Sequence, residues 1–310
     1  MQKLPSAYRI APAVARALKA QTPIVALETT VITHGLPAPE NLQLARDMEA
    51  RIQSHGALPA TIGVLQGNIL IGMNAAQLEQ LAATVPNRKI SRRDFATAIA
   101  RQESGGTTVA GTLIAAHAAG LRVFATGGIG GVHRGAPFDV STDLQELSRT
   151  PLIVVCAGAK SILDLAATLE VLETLGVPVV GYQTDEFPAF YARTSGLPVS
   201  LRVDSPAEVA ALAKAHWDLG LSSAILVVVP PPEDAALPAA QMETAVEQAL
   251  AEAQEQKIRG QQVTPFLLAR VSDLTGKASL NANLALLLNN AQIAAQIALA
   301  YHQSPAGLHA

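Results

Sequence analysis

Short runs of β-branched residues alternate along the chain with longer segments whose apolar positions recur every three or four residues. The short runs predict buried strands and the longer segments predict helices. The predicted strands cover residues 24–31, 61–71 with a turn at 66–68, 122–125, 152–156, 177–182 and 223–229. The predicted helices cover residues 39–55, 75–83, 91–100, 108–119, 161–175, 207–219, 239–255, 265–274 and 280–301.

This alternation predicts an α/β fold, a three-layer α/β/α sandwich with a central, largely buried sheet. The composition agrees, because 49% of the residues are hydrophobic but only 4% are aromatic. The interior must therefore be built from Ala, Val, Leu and Ile, which suits helices layered on a buried sheet. The sequence shows no linker, low-complexity tract or fixed-period repeat, so we expect a single domain over residues 1–310.

Charge and cysteine content narrow the function. The net charge is −3 and the basic residues are scattered, which argues against a nucleic acid polymer as partner and favours a small substrate. The single cysteine, Cys156, excludes an intrachain disulfide and suits a reducing compartment, and the start shows no secretion signal, so we expect a cytoplasmic protein. Asn and Gln interrupt the apolar stretch 284–300, which favours a packing or subunit-contact helix and no membrane association.

Lys160 is the most informative charged residue. It follows an apolar strand and a turn of small residues, and it precedes the predicted helix 161–175. Open α/β sheets bind ligands at the carboxyl ends of their strands. Burial there disfavours the ammonium form and supplies a neutral amine that can attack a sugar carbonyl. The alternative is an exposed lysine beside a helix start, where its charge opposes the helix dipole.

A glycine cluster follows the strand 122–125. Four glycines within residues 127–131 let backbone amides approach a ligand closely, and Thr126, His133 and Arg134 could add hydrogen bonds or charge. The spacing is not that of a dinucleotide fingerprint. A purely structural turn is the alternative.

Two carboxylates come next in the sequence, Asp139 and Asp143, with Ser141 and Thr142 between them. Such a group can hold a hard divalent cation that keeps several waters, or it can orient sugar hydroxyls. The alternative is that Ser141 or Thr142 simply caps a short helix and that Asp143 favours its positive end.

Glu28 interrupts the apolar strand 24–31. A carboxylate inside a buried strand is costly unless it is paired or functional. Burial would raise its pKa and make it a candidate proton donor. The alternative is an edge strand with Glu28 in water, and His34 just beyond could cap or bridge the loop.

A phosphate site is predicted where Lys89 could meet the start of the helix 108–119. Helix N-termini present free amides, so Thr107, Thr108 and Val109 with Lys89 could hold a phosphate. The alternative is that Ser91 and Thr107 are ordinary helix caps.

Together these segments resemble the pseudouridine-5'-phosphate glycosidase family over about residues 25–301. The matching segments are 26–37 (ALETTVITHGLP), 89–94 (KISRRD), 125–135 (ATGGIGGVHRG), 154–165 (VVCAGAKSILDL), 181–184 (GYQT) and 264–270 (TPFLLAR).

The resemblance implies an indigoidine synthase A-like fold, a homotrimer, Mn²⁺ as cofactor and reversible cleavage of the C–C bond of pseudouridine 5'-phosphate to uracil and ribose 5-phosphate. It implies that Lys160 forms a Schiff base with the ring-opened ribose, that Glu28 is the proton donor and that Asp139 is the metal ligand. The implied substrate contacts are Lys89, Val109, Ser141, Thr142, Asp143 and, near the base, Asn283. Two alternatives stay open, a lysine-dependent sugar-phosphate lyase of another substrate and a non-catalytic nucleotide-binding protein.

Overall fold

The computed structural model describes residues 4–258 and 263–303, and within them the strands form two sheets. The central sheet contains β1 (Tyr8–Ile10), β2 (Ile24–Leu27), β3 (Leu58–Leu65), β4 (Asn68–Ile71), β5 (Arg88–Ile90), β6 (Gly105–Thr107), β7 (Val123–Ala125), β10 (Ile153–Cys156), β12 (Val179–Tyr182), β13 (Leu201–Val203) and β14 (Ile225–Val228). The small sheet contains β8 (Val132–His133), β9 (Ala136–Val140) and β11 (Leu163–Asp164).

Helices connect and cover these strands. They are α1 (Pro12–Lys19), α2 (Glu40–Ser54), α3 (Ala75–Ala83), α4 (Phe95–Ala100), α5 (Val109–Ala119), α6 (Thr142–Leu147), α7 (Leu165–Thr174), α8 (Pro206–Asp218), α9 (Ala239–Glu255), α10 (Val263–Leu274) and α11 (Ala278–Gln303). A π-helical turn covers Val31–Gly35, and a 3₁₀ turn covers Arg92–Asp94.

The strand order of the central sheet is β1-β4-β3-β2-β7-β10-β14-β12-β13. Along this path the pairs are parallel except β3–β4. From β2 the chain moves to β3 on one side, and from β7 it moves to β10 on the other. The crevice beyond the carboxyl ends of β2 and β7 is therefore a topological switch point, where open α/β sheets bind ligands.

Strands β2 and β6 meet end to end at this crevice. Both pair with β3, β2 in parallel along Leu58–Thr61 and β6 antiparallel at Gly63 and Val64. Because they run towards each other, the residues that follow β2 lie against the end of β6. Strand β5 pairs with β6 and carries Lys89 to the same place.

Helix α11 is the central helix of one layer. It packs against α2 and α8 and against β2, β7 and β10, while α5 packs on β2 and β3 and contacts α6. Within the described ranges, α11 is the one helix whose length and composition would allow a membrane span, and half of its most apolar window is buried inside the protein. The predicted α/β/α sandwich and its aliphatic core are confirmed.

The predicted turn at 66–68 is confirmed, because β3 and β4 form a hairpin through Gln66 and Gly67, both with positive φ (48° and 75°). The predicted strand 24–31 was too long, since β2 ends at Leu27. Two threonine side chains end it. The Thr29 hydroxyl donates to the Ile62 carbonyl at 2.7 Å, and the Thr30 hydroxyl donates to the Thr107 carbonyl. Such side-chain bonds compete with a strand ladder.

The predicted helix 161–175 was also wrong at its start, because α7 begins at Leu165. Asp164 caps it, its Oδ1 accepting from the Ala167 amide at 3.0 Å. The preceding residues form β11, which pairs with Val132 and His133 of β8. Lys160 therefore does not stand at a helix N-terminus, and the dipole argument does not apply to it.

Candidate active site

Two adjoining cavities open at the carboxyl ends of β2, β7 and β10. The first, here called the apolar cavity, is lined by Glu28, Thr30, Val31, His34, Gly35, Lys89, Thr126, Gly127, Gly128, Lys160, Phe190, Thr264, Leu268, Asn283 and Leu287. The second, the polar cavity, is lined by Glu28, Thr30, Lys89, Ser91, Arg93, Asp94, Thr108, Val109, Gly130, His133, Asp139, Val140, Ser141, Thr142, Asp143, Lys160, Ile162, Leu163 and Thr264.

All nine site residues predicted from the sequence line one or both cavities. Glu28, Lys89 and Lys160 stand at the junction and line both. Asn283 lines the apolar cavity, while Val109, Asp139 and Ser141 to Asp143 line the polar one. The fold thus brings residues from six separate segments together, and their individual roles stay predictions.

Glu28 follows β2 and is enclosed by the carboxyl ends of neighbouring strands. It does not lie within the strand, and the alternative of an edge strand is wrong because β2 pairs with β3 and with β7. Its Oε1 accepts a hydrogen bond from the Thr126 hydroxyl. Burial raises the pKa of Glu28, although the Lys160 charge and the Thr126 hydrogen bond act in the opposite direction. The raised pKa favours the protonated form of this carboxyl group, which a proton donor requires.

Lys160 follows β10 through a tight turn that the glycine cluster supports. Its backbone amide donates to the Ile129 carbonyl at 3.1 Å. The turn requires Gly158, which has a φ of 87° and whose absent Cβ would lie 2.5 Å from the Pro188 carbonyl oxygen. The Lys160 side chain is half-buried and faces both cavities, so the alternative of an exposed surface lysine is wrong.

Lys89 lines the same two cavities as Lys160. Burial lowers the pKa of Lys89, and the Lys160 charge lowers it further, while Asp143 and Glu28 oppose this change. Glu28, Lys89 and Lys160 at the junction and Asp143 in the polar cavity therefore influence one another electrostatically.

The start of α5 contributes fewer groups than the sequence suggested. Thr107 is fully buried and its hydroxyl donates to the Ile62 carbonyl at 2.7 Å, so it neither caps α5 nor faces a ligand. Thr108 is the cap, accepting from the Gly111 amide at 3.1 Å. Val109 is the first helical residue and lines the polar cavity, where the helical pattern leaves its amide without an intrahelical partner.

Asp143 links the start of α5 to the glycine cluster. It is buried, its Oδ1 accepts from the Ala110 amide at 2.9 Å, and its Oδ2 accepts from the Gly130 amide at 2.8 Å. The predicted cap is confirmed at Ser141, whose hydroxyl accepts from the Asp143 amide at 3.2 Å at the start of α6. The glycine cluster fits closely here, since a Cβ on Gly130 would lie 2.3 Å from the Ser141 hydroxyl.

Asp139 is the carboxylate of the polar cavity that the sequence predicts as a metal ligand. Asp139 is exposed on β9, and His133 lines the same cavity. Both Asp143 oxygens already accept backbone hydrogen bonds. Residues 4–258 and 263–303 contain no group of three His, Cys, Asp or Glu side chains placed to hold an ion. These donors fit a hard cation that keeps most of its waters and do not fit a fully dehydrated one.

Sequence reasoning gave no role to several lining residues. Thr30 and Thr264 line both cavities, and Phe190 covers the apolar one with a positive φ of 63°. Thr264 lies in the segment 264–270, so its place in a matching motif was the available signal, while nothing in the local sequence marks Phe190. His34 bridges its loop as expected: its Nε2 lies 3.1 Å from the Asn87 carbonyl oxygen.

Comparison with known proteins assigns the family. Residues 13–300 match the sequence model of the family described as Indigoidine synthase A like protein. The chain belongs to this family. It is 54% identical over 301 residues to pseudouridine-5'-phosphate glycosidase of Paracoccus denitrificans strain Pd 1222, an alignment that covers 96% of this chain and 99% of that protein.

Further relatives agree. The chain is 49% identical over 302 residues to pseudouridine-5'-phosphate glycosidase of Escherichia coli strain K12, covering 96% of this chain and 97% of that protein. Its fold matches the crystal structure of the prealnumycin C-glycosynthase AlnA in complex with ribulose 5-phosphate, with a TM-score of 0.89 and 38% identity. That match covers 96% of this chain and 98% of the other.

Proposed function

We propose that this family member is a pseudouridine-5'-phosphate glycosidase, which reversibly cleaves the C–C bond between uracil and ribose 5-phosphate. One observation carries the proposal: Lys160 and Glu28 both stand where a polar cavity and an apolar cavity join. A sugar phosphate suits the polar cavity and a pyrimidine base suits the apolar cavity. The bond between sugar and base therefore lies beside the Lys160 amine and the Glu28 carboxyl group. The relatives named above act on this substrate by name.

A C–C bond requires this pair of groups. A C-glycoside has no leaving oxygen or nitrogen at the scissile bond, so the usual scheme with two carboxylates is insufficient. An amine on C1' supplies an electron pair that can expel the carbon of the base, and an acid can protonate that carbon.

The steps balance with one water. Lys160 Nζ bonds to C1' as the ring oxygen leaves with a proton, which gives a ring-opened amine adduct. The nitrogen pair then forms C1'=N while the C1'–C5 bond breaks, and the bonding electrons go to C5 of uracil. Glu28 delivers the proton that C5 takes up. Water hydrolyses the protonated Schiff base, which releases ribose 5-phosphate, restores the neutral amine and returns a proton to Glu28.

Substrate anchoring is assigned to the walls of each cavity. Lys89 and the amide of Val109 lie together on the polar cavity, where a cation and the first amide of α5 suit a phosphate. Ser141, Thr142 and Asp143 line the same cavity and would orient the sugar hydroxyls. Asn283 lines the apolar cavity, where its amide can pair with the donors and acceptors of uracil.

The metal proposed for this site is Mn²⁺, which Asp139 would hold. When bound it would supply positive charge near the phosphate and sugar oxygens. We further propose that the protein is a cytoplasmic homotrimer whose ligands are small molecules, with no nucleic acid polymer or membrane as partner.

Incubation with pseudouridine 5'-phosphate tests the function directly. We expect uracil and ribose 5-phosphate to appear in equal amounts in the presence of Mn²⁺. A lysine-dependent lyase of another sugar phosphate would release no uracil. A non-catalytic nucleotide-binding protein would bind the nucleotide without turnover, and Lys160→Ala would bind it equally well.

A further inference from the structure

A third cavity adjoins the apolar cavity. It lies between the π-helical turn, α10 and the start of α11, and we call it the rear cavity. The rear cavity shares His34, Gly35, Leu268 and Asn283 with the apolar cavity. It shares no lining residue with the polar cavity. The apolar cavity therefore adjoins both of the others.

We propose that the rear cavity is the route by which the pyrimidine base leaves and enters, separate from the route of the sugar phosphate. This inference rests on the proposed function. Once the C–C bond has broken, Lys160 holds the sugar as a Schiff base in the polar cavity, which is then filled. The base in the apolar cavity has lost its covalent link, and the rear cavity gives it a path that does not pass the bound sugar.

The walls of this path suit a small polar ring. Leu268 and Asn283 contact it from α10 and α11, and His34 is held in place through its contact with the Asn87 carbonyl oxygen. Gly35 stands at the boundary without a side chain, and an added Cβ there would contact Val31 at 3.5 Å. Beyond the boundary the lining includes Ser272, whose hydroxyl can replace hydrogen bonds that the base makes to water.

A separate route predicts an order of release, with uracil leaving before the sugar phosphate. Isotope exchange at equilibrium measures this order in the wild-type enzyme. We expect that raising uracil and pseudouridine 5'-phosphate together suppresses exchange between labelled ribose 5-phosphate and the nucleotide. Raising ribose 5-phosphate and the nucleotide together should leave exchange of labelled uracil undiminished.

A blocking variant tests the route itself. Ala269 is exposed on α10 and lines the rear cavity but neither of the other two. We expect Ala269→Trp to slow uracil exchange on the order of tenfold, because passage of the product through a narrowed opening becomes limiting. The borohydride-trapped Schiff base with ribose 5-phosphate should form at the wild-type rate. Ala251→Trp, at an exposed position of α9 that lines none of the three cavities, is the matched control.

The outcomes separate the two proposals. Equal suppression of both exchange reactions would overturn the rear route and leave the glycosidase activity unaffected. Normal uracil exchange in an Ala269→Trp variant that is folded by circular dichroism would do the same. Absence of any uracil release by the wild-type enzyme would overturn both. Because the Schiff base is measured without uracil, slowed trapping in Ala269→Trp would point to general damage and would also count against the route.

Discussion

Glu28 illustrates how a single side chain acquires its chemistry from its surroundings. Its position after β2 is enclosed, so the charged form is disfavoured, while Lys160 and the Thr126 hydroxyl partly offset this effect. A carboxyl group in this balance holds its proton to higher pH than an exposed glutamate does and can still release it during turnover. We expect Glu28→Gln to lower kcat by about 10²–10⁴-fold, the usual loss for a general acid.

The Thr126 hydroxyl sets the pH at which Glu28 acts. Because its hydrogen bond lowers the pKa of Glu28, Thr126→Val should raise that pKa further. The limb of the pH–rate profile that reports loss of the acid should then move to higher pH. Thr126→Ser keeps the hydroxyl and should keep the wild-type profile. Equal profiles for the Val and Ser variants would show that this hydrogen bond does not tune Glu28.

The raised pKa of Glu28 also makes the unfolding free energy depend on pH. The pKa of Glu28 in the folded protein lies above its ordinary value of 4.5, so the folded state binds this proton more tightly than the unfolded state does. The contribution of this bound proton to the unfolding free energy is fully present below pH 4.5, the ordinary pKa. It is lost as the pH rises through the pKa of Glu28 in the folded protein. In urea unfolding from pH 4 upward, wild type should lose stability relative to Glu28→Gln. A constant difference would contradict the raised pKa.

Among the secondary-structure elements, the ends of strands and the starts of helices form the site. Asp143 connects the start of α5 to the segment that follows β7. Its carboxylate accepts one amide from α5 and one from the glycine cluster. Asp143→Asn would place amide hydrogens against one of these donors and should cost about 1–3 kcal/mol of unfolding free energy, measured by urea denaturation.

Asp139 offers the matched control, because it is exposed on β9. We expect Asp139→Asn to leave the unfolding free energy within about 0.5 kcal/mol of wild type, as surface substitutions usually do. The same variant should need more Mn²⁺ for half-maximal activity. An unchanged Mn²⁺ requirement would remove Asp139 from the metal site.

The sequence predicts the long elements and misplaces their ends, for a physical reason. Residues 29–31 are β-branched and favour a strand by propensity, but the Thr29 side chain bonds to the backbone of β3 at Ile62, 33 residues away in sequence. Helix α7 starts late because residues 163 and 164 pair with β8. Both results depend on long-range contacts that no local pattern contains.

The same limit applies to the site. Lys160, Glu28 and the glycine cluster stand out because each is out of place in an apolar run. Thr107 looked equally suitable for phosphate binding, but the meeting of β2 and β6 turns its hydroxyl into the interior. Phe190 reaches the site through a loop conformation that its neighbours in sequence do not signal.

In the molecule as a whole, α11 joins the core to the site. Leu286 is fully buried on this helix, while Asn283 and Leu287 of the same helix line the apolar cavity. Leu286→Ala should lower the unfolding free energy by about 2–5 kcal/mol, because it removes buried methyl groups and leaves a cavity. Leu219→Ala, at a side chain 79% exposed, should change it by less than about 0.5 kcal/mol. Equal effects in urea denaturation would contradict the central position of α11.

The proposed cleavage depends on a covalent bond between the Lys160 amine and the sugar. Intact-protein mass measurement after borohydride reduction with ribose 5-phosphate, followed by peptide mapping, tests it most directly. We expect one reduced sugar phosphate per chain, attached to Lys160 and not to Lys89, which lines the same two cavities. Lys160→Met should give no adduct and no uracil. An adduct on Lys89, or uracil release at full rate by a folded Lys160→Met variant, would contradict the mechanism.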